Sequence, residues 1–146
     1  MSKGFIALLS ASLIALSTWH YNLEEARTLA REQHKHILLN FSGSDWCGPC
    51  IELRRKMLDN PDFQKMADTS LILVNADFPR SKKNQLSKEQ QALNNAMADQ
   101  YNSQGKFPYT LLLDANGKVL KAWEGLPNEK PADFALEIQS IIDSHP

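Results

Sequence analysis

Cysteine is scarce in this chain: two residues among 146, three positions apart, and none elsewhere. A scaffold of several disulfides is therefore excluded, and a chain of this length can bury a core without bridges or a metal to hold it. An excess of charge is also missing, because 16 basic residues against 17 acidic ones leave a net charge of -1 with no long run of either sign. That balance argues against a partner recognised through a phosphate backbone, so no nucleic acid is expected. Internal repeats and low-complexity linkers are lacking too, which leaves one domain.

Long apolar runs are confined to the first residues, "MSKGFIALLSASLIALSTW". One cation, Lys3, precedes an apolar stretch from Phe5 to Leu16, short of the ~20 residues a spanning helix requires. Ala15 and Ser17 stand as the small residues of a cleavage site, so residues 1–17 read as a secretory signal and 18–146 as the mature domain. An uncleaved anchor and a buried N-terminal helix are the rival readings. With cleavage, no stable membrane insertion is expected, and the domain reaches a compartment where disulfides persist.

Asn22 followed by Glu25 is an N-cap signature, and Leu23, Ala26 and Ala30 share a helical face, so a helix is expected over 22–33. "HILLNFS" from His36 and "SLILVNAD" from Ser70 read as buried strands. Between them the pattern predicts helices over 47–58 and 61–68, the second capped by Asn60 with Pro61 in its first turn. Residues 36–77 thus form one β-α-β crossover with parallel strands. Ser87 and Gln90 open a helix carrying Leu93, Met97 and Tyr101, and "YTLLLDANGKVLKAW" is a hairpin turning at Asn116-Gly117. A last helix starts near Pro131 and buries Phe134, Ile138 and Ile141.

Both cysteines lie in "SGSDWCGPC", where a strand passes into a helix that Ser44 or Asp45 can cap. Cysteines at i and i+3 on a first helical turn share a side and can bridge in a small ring that opens easily. Free N–H groups and the positive end of the helix dipole favour thiolate at Cys47, lowering its pKa below the ~8.5 of free cysteine. Cys47 is then the attacking nucleophile and Cys50 the resolving thiol. Pro49 is tolerated because a first-turn N–H has no helical partner, and Gly48 leaves room for another protein's backbone. Trp46 is expected to wall the substrate site. An inert bridge is the bland alternative. Zinc would need two further ligands, and His20, His34, His36 and His145 lack the spacing to supply them, so no metal is expected. His34 and His36 read as solvated turn residues, as do Arg80, Lys82 and Lys83, for which partner recognition is the rival reading.

"WCGPC", Trp46 to Cys50, after an apolar strand resembles thioredoxin, and "LVNAD", "FPYT" and "LLLDANGKVL" extend the resemblance over about residues 22–143. More narrowly, "NFSGSDWCGPC" with "DFPR" and "GKFPYT" is similar to exported bacterial thioredoxin-like disulfide reductases. The resemblance implies an α/β thioredoxin fold: a central mixed four-stranded sheet flanked by helices, with an N-terminal helix and a lengthened segment 78–104 before a cis-proline at Pro108. It implies a groove of Trp46, Cys47, Phe107, Pro108 and Tyr109 in which a client peptide pairs with the Phe107 backbone as an added strand. It implies a periplasmic protein-disulfide reductase with no cofactor beyond the Cys47-Cys50 disulfide, acting on disulfide-containing clients and recharged by a membrane or soluble thiol electron donor. The uncharged Gly48-Pro49 supports that direction, since the thioredoxin couple lies ~150 mV, about 7 kcal/mol, below a strongly oxidising one. Oxidation or isomerisation of disulfides, and a non-catalytic binding module, are the alternatives.

This sequence departs from thioredoxin at the base. Aligned on Phe41, Asn40 stands where thioredoxin has a buried aspartate, and Leu73 is nearest the place of its lysine. Asn cannot take a proton, so Asp45, Glu52 or water is expected to serve Cys50.

Overall fold

In a computed structural model the structure describes residues 17–146. The secretory signal read over 1–17 therefore lies, apart from Ser17, outside the described residues. Strand β1 (Trp19–His20) is followed by α1 (Leu23–Gln33), β2 (His36–Ser42), α2 (Gly48–Glu52), α3 (Pro61–Ser70), β3 (Leu71–Asp77), α4 (Lys88–Tyr101), β4 (Tyr109–Leu113), β5 (Val119–Glu124) and α5 (Pro131–Asp143). The strands form one mixed sheet in the order β1-β3-β2-β4-β5. β2 and β3 run parallel in register from His36↔Leu71 to Ser42↔Asp77, while β4 is antiparallel to both β2 and β5.

The alternation of β2 decides what lies on each side of the sheet. Ile37, Leu39 and Phe41 join Ile72, Val74, Leu111 and Leu113 in the core beneath α1 and α4. Leu38 joins Leu71, Leu73 and Leu112 in a second core beneath α3, α5 and the segment that follows α2. A strand buried on both faces must be apolar at nearly every position, which is why "HILLNFS" is a run rather than an alternation. Asn40 and Ser42 are the buried polar exceptions. The Asn40 side chain belongs to the face of Leu38, at the end of the strand beside the cysteines.

The sheet has five strands where four were expected. Trp19 and His20 pair with Leu73 and Val74 along the free edge of β3. Two residues carry too little pattern to read as a strand, and the pairing exists only because β3 supplies the partner. The helix expected over 47–58 also differs, since α2 ends at Glu52 and the chain continues as a π-helix, Leu53–Leu58. The Asp59 N–H bonds the Arg54 carbonyl at 2.8 Å, five residues back, and the Asp59 carboxylate meets Arg54 Nε at 2.8 Å. This wider winding keeps Leu53, Met57 and Leu58 buried against the sheet. A single-turn widening of this kind recurs near functional sites. His34 is exposed in the turn that closes α1, as expected, and takes the left-handed region there with φ 54°.

Phe134 anchors α5, fully buried between Phe63, with ring centroids 6.2 Å apart, and Trp123 at 5.3 Å. Phe134→Ala is expected to cost about 3–5 kcal/mol of stability, the usual loss for emptying a buried aromatic site. Urea unfolding of the oxidised protein reads this, and a loss below about 1 kcal/mol would show that the core closes without the ring.

Candidate active site

β2 delivers the chain to Ser42, and the backbone then turns back on Gly43. The N–H groups of Trp46 and Cys47 both donate to the Gly43 carbonyl, at 3.2 and 2.9 Å. Cys47 follows in an extended conformation (φ -94°, ψ 99°) and is itself the N-cap of α2, its Sγ accepting the Cys50 N–H at 3.3 Å. The cap expected from Ser44 or Asp45 is thus supplied by the nucleophile. The same N–H that a serine cap would satisfy is aimed at sulfur, which is how a helix start favours a thiolate. Pro49 sits in the first turn, where it forfeits no helical bond.

Cys47 and Cys50 form a disulfide with Cα atoms 5.2 Å apart. Both are nearly buried, at 5% and 3% exposure, whereas Gly48 and Pro49 between them are exposed. A Cβ built on Gly48 would meet nothing within 4 Å, leaving open space there for an approaching backbone.

Ser44 and Asp45 turn instead towards the loop that leaves β3. Ser44 donates through its N–H and Oγ to the Asp77 carboxylate, at 2.9 and 2.5 Å. Asp45 accepts from the Arg80 N–H (2.9 Å), the Ser81 N–H (2.9 Å) and the Asn84 amide (3.0 Å). Trp46 completes this junction by donating Nε1–H to the Phe78 carbonyl at 2.8 Å. Its indole meets Phe107 edge-on with centroids 5.4 Å apart, and the Arg80 guanidinium lies over it at 3.7 Å.

Of the groove residues read from the sequence, Trp46 and Phe107 meet ring to ring, each beside its chain neighbour, Cys47 and Pro108. The Phe107-Pro108 peptide bond is cis, and the Pro108 carbonyl accepts from Gly125 N–H at 2.9 Å. Among the described residues the Phe107 backbone N–H and C=O take no internal hydrogen bond. Tyr109 goes elsewhere: its ring stacks on Phe41, centroids 6.3 Å apart, and Lys106 Nζ lies 5.3 Å from its centroid.

The two carboxylates expected to serve Cys50 are engaged away from it. Asp45 is held by the β3 loop, and Glu52 pairs with Lys56 at 3.1 Å on the outer face of the helix. Cys50 instead lines a pocket of about 260 Å³ with Asn40, Ser42, Asn75, Arg54 and Asp59. Asn40, 3% exposed, donates to Asn75 Oδ1 at 3.2 Å and accepts from Thr110 Oγ1 at 3.1 Å. Asn75 is the cross-strand partner of Asn40, which places it, rather than Leu73, beside the position of the missing carboxylate. Period-two alternation in "LILVNAD" carried that signal, since Leu71, Leu73 and Asn75 share one face. Among the described residues no group of three or more His, Cys, Asp or Glu could hold a metal ion.

A sequence profile of the family described as Thioredoxin-like matches residues 18–115. The chain is 38% identical over 118 residues to the disulfide bond reductase DsbH of Chlamydia pneumoniae, an alignment that covers 81% of this chain and 69% of that one. It superposes on a solved DsbH oxidoreductase with TM-score 0.81 at 29% identity, covering 97% of this chain and 95% of the other. A thioredoxin from Thermus thermophilus shares the fold, with TM-score 0.61 at 17% identity over 86% of this chain and 87% of that one.

Two outcomes test this geometry. A Cβ on Gly43 would lie 2.3 Å from Trp46 Cε2, so Gly43→Ala must displace the indole. Overpacking of this kind costs about 1–3 kcal/mol, to be read by urea unfolding together with a shift in tryptophan emission. Unchanged emission would mean that the ring has room to stay.

The Asp45 carboxyl is held below the usual carboxylate range, first by the Arg80 N–H, then by the Asn84 amide and the Ser81 N–H. A pKa depressed on folding adds stability above the unfolded value of about 3.9 and loses it as pH falls through the folded value. The Asp45 contacts with Arg80 and Ser81 should therefore persist at neutral pH and release only in acid. Their amide proton resonances should shift with a midpoint below about 3.9, and a midpoint above that would show the carboxylate unengaged.

Proposed function

Because the chain belongs to the thioredoxin-like family and is a thiol-disulfide oxidoreductase, we propose that it works in the reducing direction, on the disulfides of exported client proteins. The observation that carries the thiol chemistry is the position of Cys47, at once N-cap of α2 and partner of the Cys50 N–H at 3.3 Å, while the uncharged Gly48-Pro49 favours the reducing direction. The similarity to a disulfide bond reductase over 118 residues supports the direction.

In the reduced protein the Cys47 thiolate attacks one sulfur of a client disulfide. A mixed disulfide forms, and the displaced client sulfur leaves as thiolate and takes a proton from water. Cys50 then gives its proton to water in the adjoining pocket and attacks Cys47 Sγ, releasing the second client sulfur. Two electrons have passed to the client, and Cys47-Cys50 is left as the disulfide. Asn40 and Asn75 line that pocket and have no titratable group, so they orient that water without taking the proton themselves, and Thr110 holds Asn40 in place. A thiol electron donor, membrane-bound or soluble, returns two electrons by the same exchange in reverse, and no further cofactor is needed.

Gly48 and Pro49 place no charge between the cysteines, which leaves the thiolate less stabilised than a neighbouring cation would and the couple more reducing. Trp46, Phe107 and Pro108 form the groove, and the unpartnered Phe107 backbone offers a client strand one donor and one acceptor. Export follows from the signal-like segment 1–17, with the mature chain starting near Thr18 and the periplasm as its compartment. Among the described residues no helix is long and apolar enough to cross a membrane.

Cys47→Ser should reduce turnover of a protein disulfide such as insulin to the uncatalysed thiol background. Cys50→Ser should accumulate a client adduct, seen on a non-reducing gel and lost on adding dithiothreitol. Full turnover in the first variant, or no adduct in the second, would overturn the assigned roles.

A further inference from the structure

The loop that leaves β3 is fixed to the cysteine turn by four hydrogen bonds. Asp45 takes three donors from it and Trp46 bonds its Phe78 carbonyl. Gln85 spans it, donating to the carbonyls of Pro79 and Ser81 at 3.1 and 3.2 Å. The side chain this scaffold holds out is Arg80. Its residue is exposed, yet its guanidinium rests 3.7 Å from the centroid of Trp46, the residue preceding the nucleophile. A stacked guanidinium keeps a fixed direction while its N–H donors stay available, because stacking uses the face and hydrogen bonding the edge.

On this side of the groove three cations, Arg80, Lys82 and Lys83, stand against two carboxylates, Asp45 and Asp77. Asp45 is engaged with backbone N–H groups and Asn84, and Asp77 with Ser44. Lys106 is paired with Glu124. Among the described residues Arg80, Lys82 and Lys83 form no ion pair, and all three are exposed.

Resting on the reductase reading above, we infer that Arg80 is a specificity-determining residue, which selects clients carrying an acidic side chain beside the disulfide cysteine that Cys47 attacks. A client strand lying along Phe107 passes the Trp46 wall, and a carboxylate one or two residues from its cysteine can take the guanidinium edge in a bidentate pair. A basic side chain there meets a cation that cannot turn away without losing its stack. Selection acts on binding, since the pair forms before and after sulfur transfer alike.

Three cyclic disulfide peptides test this, identical except for Asp, Ser or Lys beside the attacked cysteine, each assayed for reduction under steady-state conditions. The wild type should show a KM for the Asp peptide about tenfold below that for the Lys peptide, with the difference collapsing at about 1 M salt, where screening reaches ~3 Å. Arg80→Gln should bring the two KM values to within about twofold, and Arg80→Glu should reverse their order. Arg80→Lys should retain the order with a smaller ratio. An Asp-to-Lys ratio unchanged in Arg80→Gln would overturn the inference. A rise in KM by the same factor for all three peptides would do so as well, because it would make Arg80 only a support for Trp46. Failure of the wild type to reduce any of the three would strike the reductase reading instead.

Discussion

β2 is buried on both faces, and this constraint fixes the place of everything else. Its odd-numbered side chains fill the core under α1 and α4, and Leu38 fills the core under α3 and α5. With both faces occupied the strand cannot slip by one residue, because a slip would exchange the two cores and bring Asn40 into the wholly apolar one. The turn that follows β2 therefore leaves the sheet at one height and in one direction. Cys47 meets the start of α2 there, between β3 on one side and the β4 entry at Pro108 on the other.

A second layer of order comes from where the polar groups of that turn are satisfied. Ser44, Asp45 and Trp46 direct their hydrogen bonds across to Asp77, Phe78, Arg80 and Ser81, so the turn and the β3 loop form one rigid piece. This leaves the helix start without an oxygen cap and gives that role to sulfur. Reactivity at Cys47 thus follows from a displacement of ordinary capping groups by tertiary contacts. Beneath it, Asn40, Asn75 and Thr110 form a neutral hydrogen-bonded set that lets a polar pocket adjoin Cys50 without burying a charge, an arrangement that avoids the desolvation cost of a carboxylate at that depth.

Much of the fold was legible in local patterns. The apolar runs at 37–41 and 71–76, the Asn22, Asn60 and Ser87 caps, and the Pro131 start each lie within a few residues of the element they announce. What was not legible depended on a partner distant in sequence. Trp19-His20 becomes a strand only on the edge of β3, and the π-helical winding of 53–58 answers the spacing of Leu53, Met57 and Leu58 against the sheet. Asp45 reads locally as a cap or a base, and only the return of residues 80–84 turns it into an anchor. Tyr109 follows Pro108 directly, yet strand alternation carries its ring to Phe41.

The sequence by itself determined the chemistry and the scaffold class. Two cysteines one helical turn apart, Gly-Pro between them and an apolar strand ahead of them specify a redox pair through spacing and propensity, which act over a few residues. Tertiary structure decided which groups surround that pair. The anchoring of Asp45, the partners of Asn40 and the cation over Trp46 come from residues 30 or more positions apart, joined by strand register and loop closure, which only the folded chain possesses.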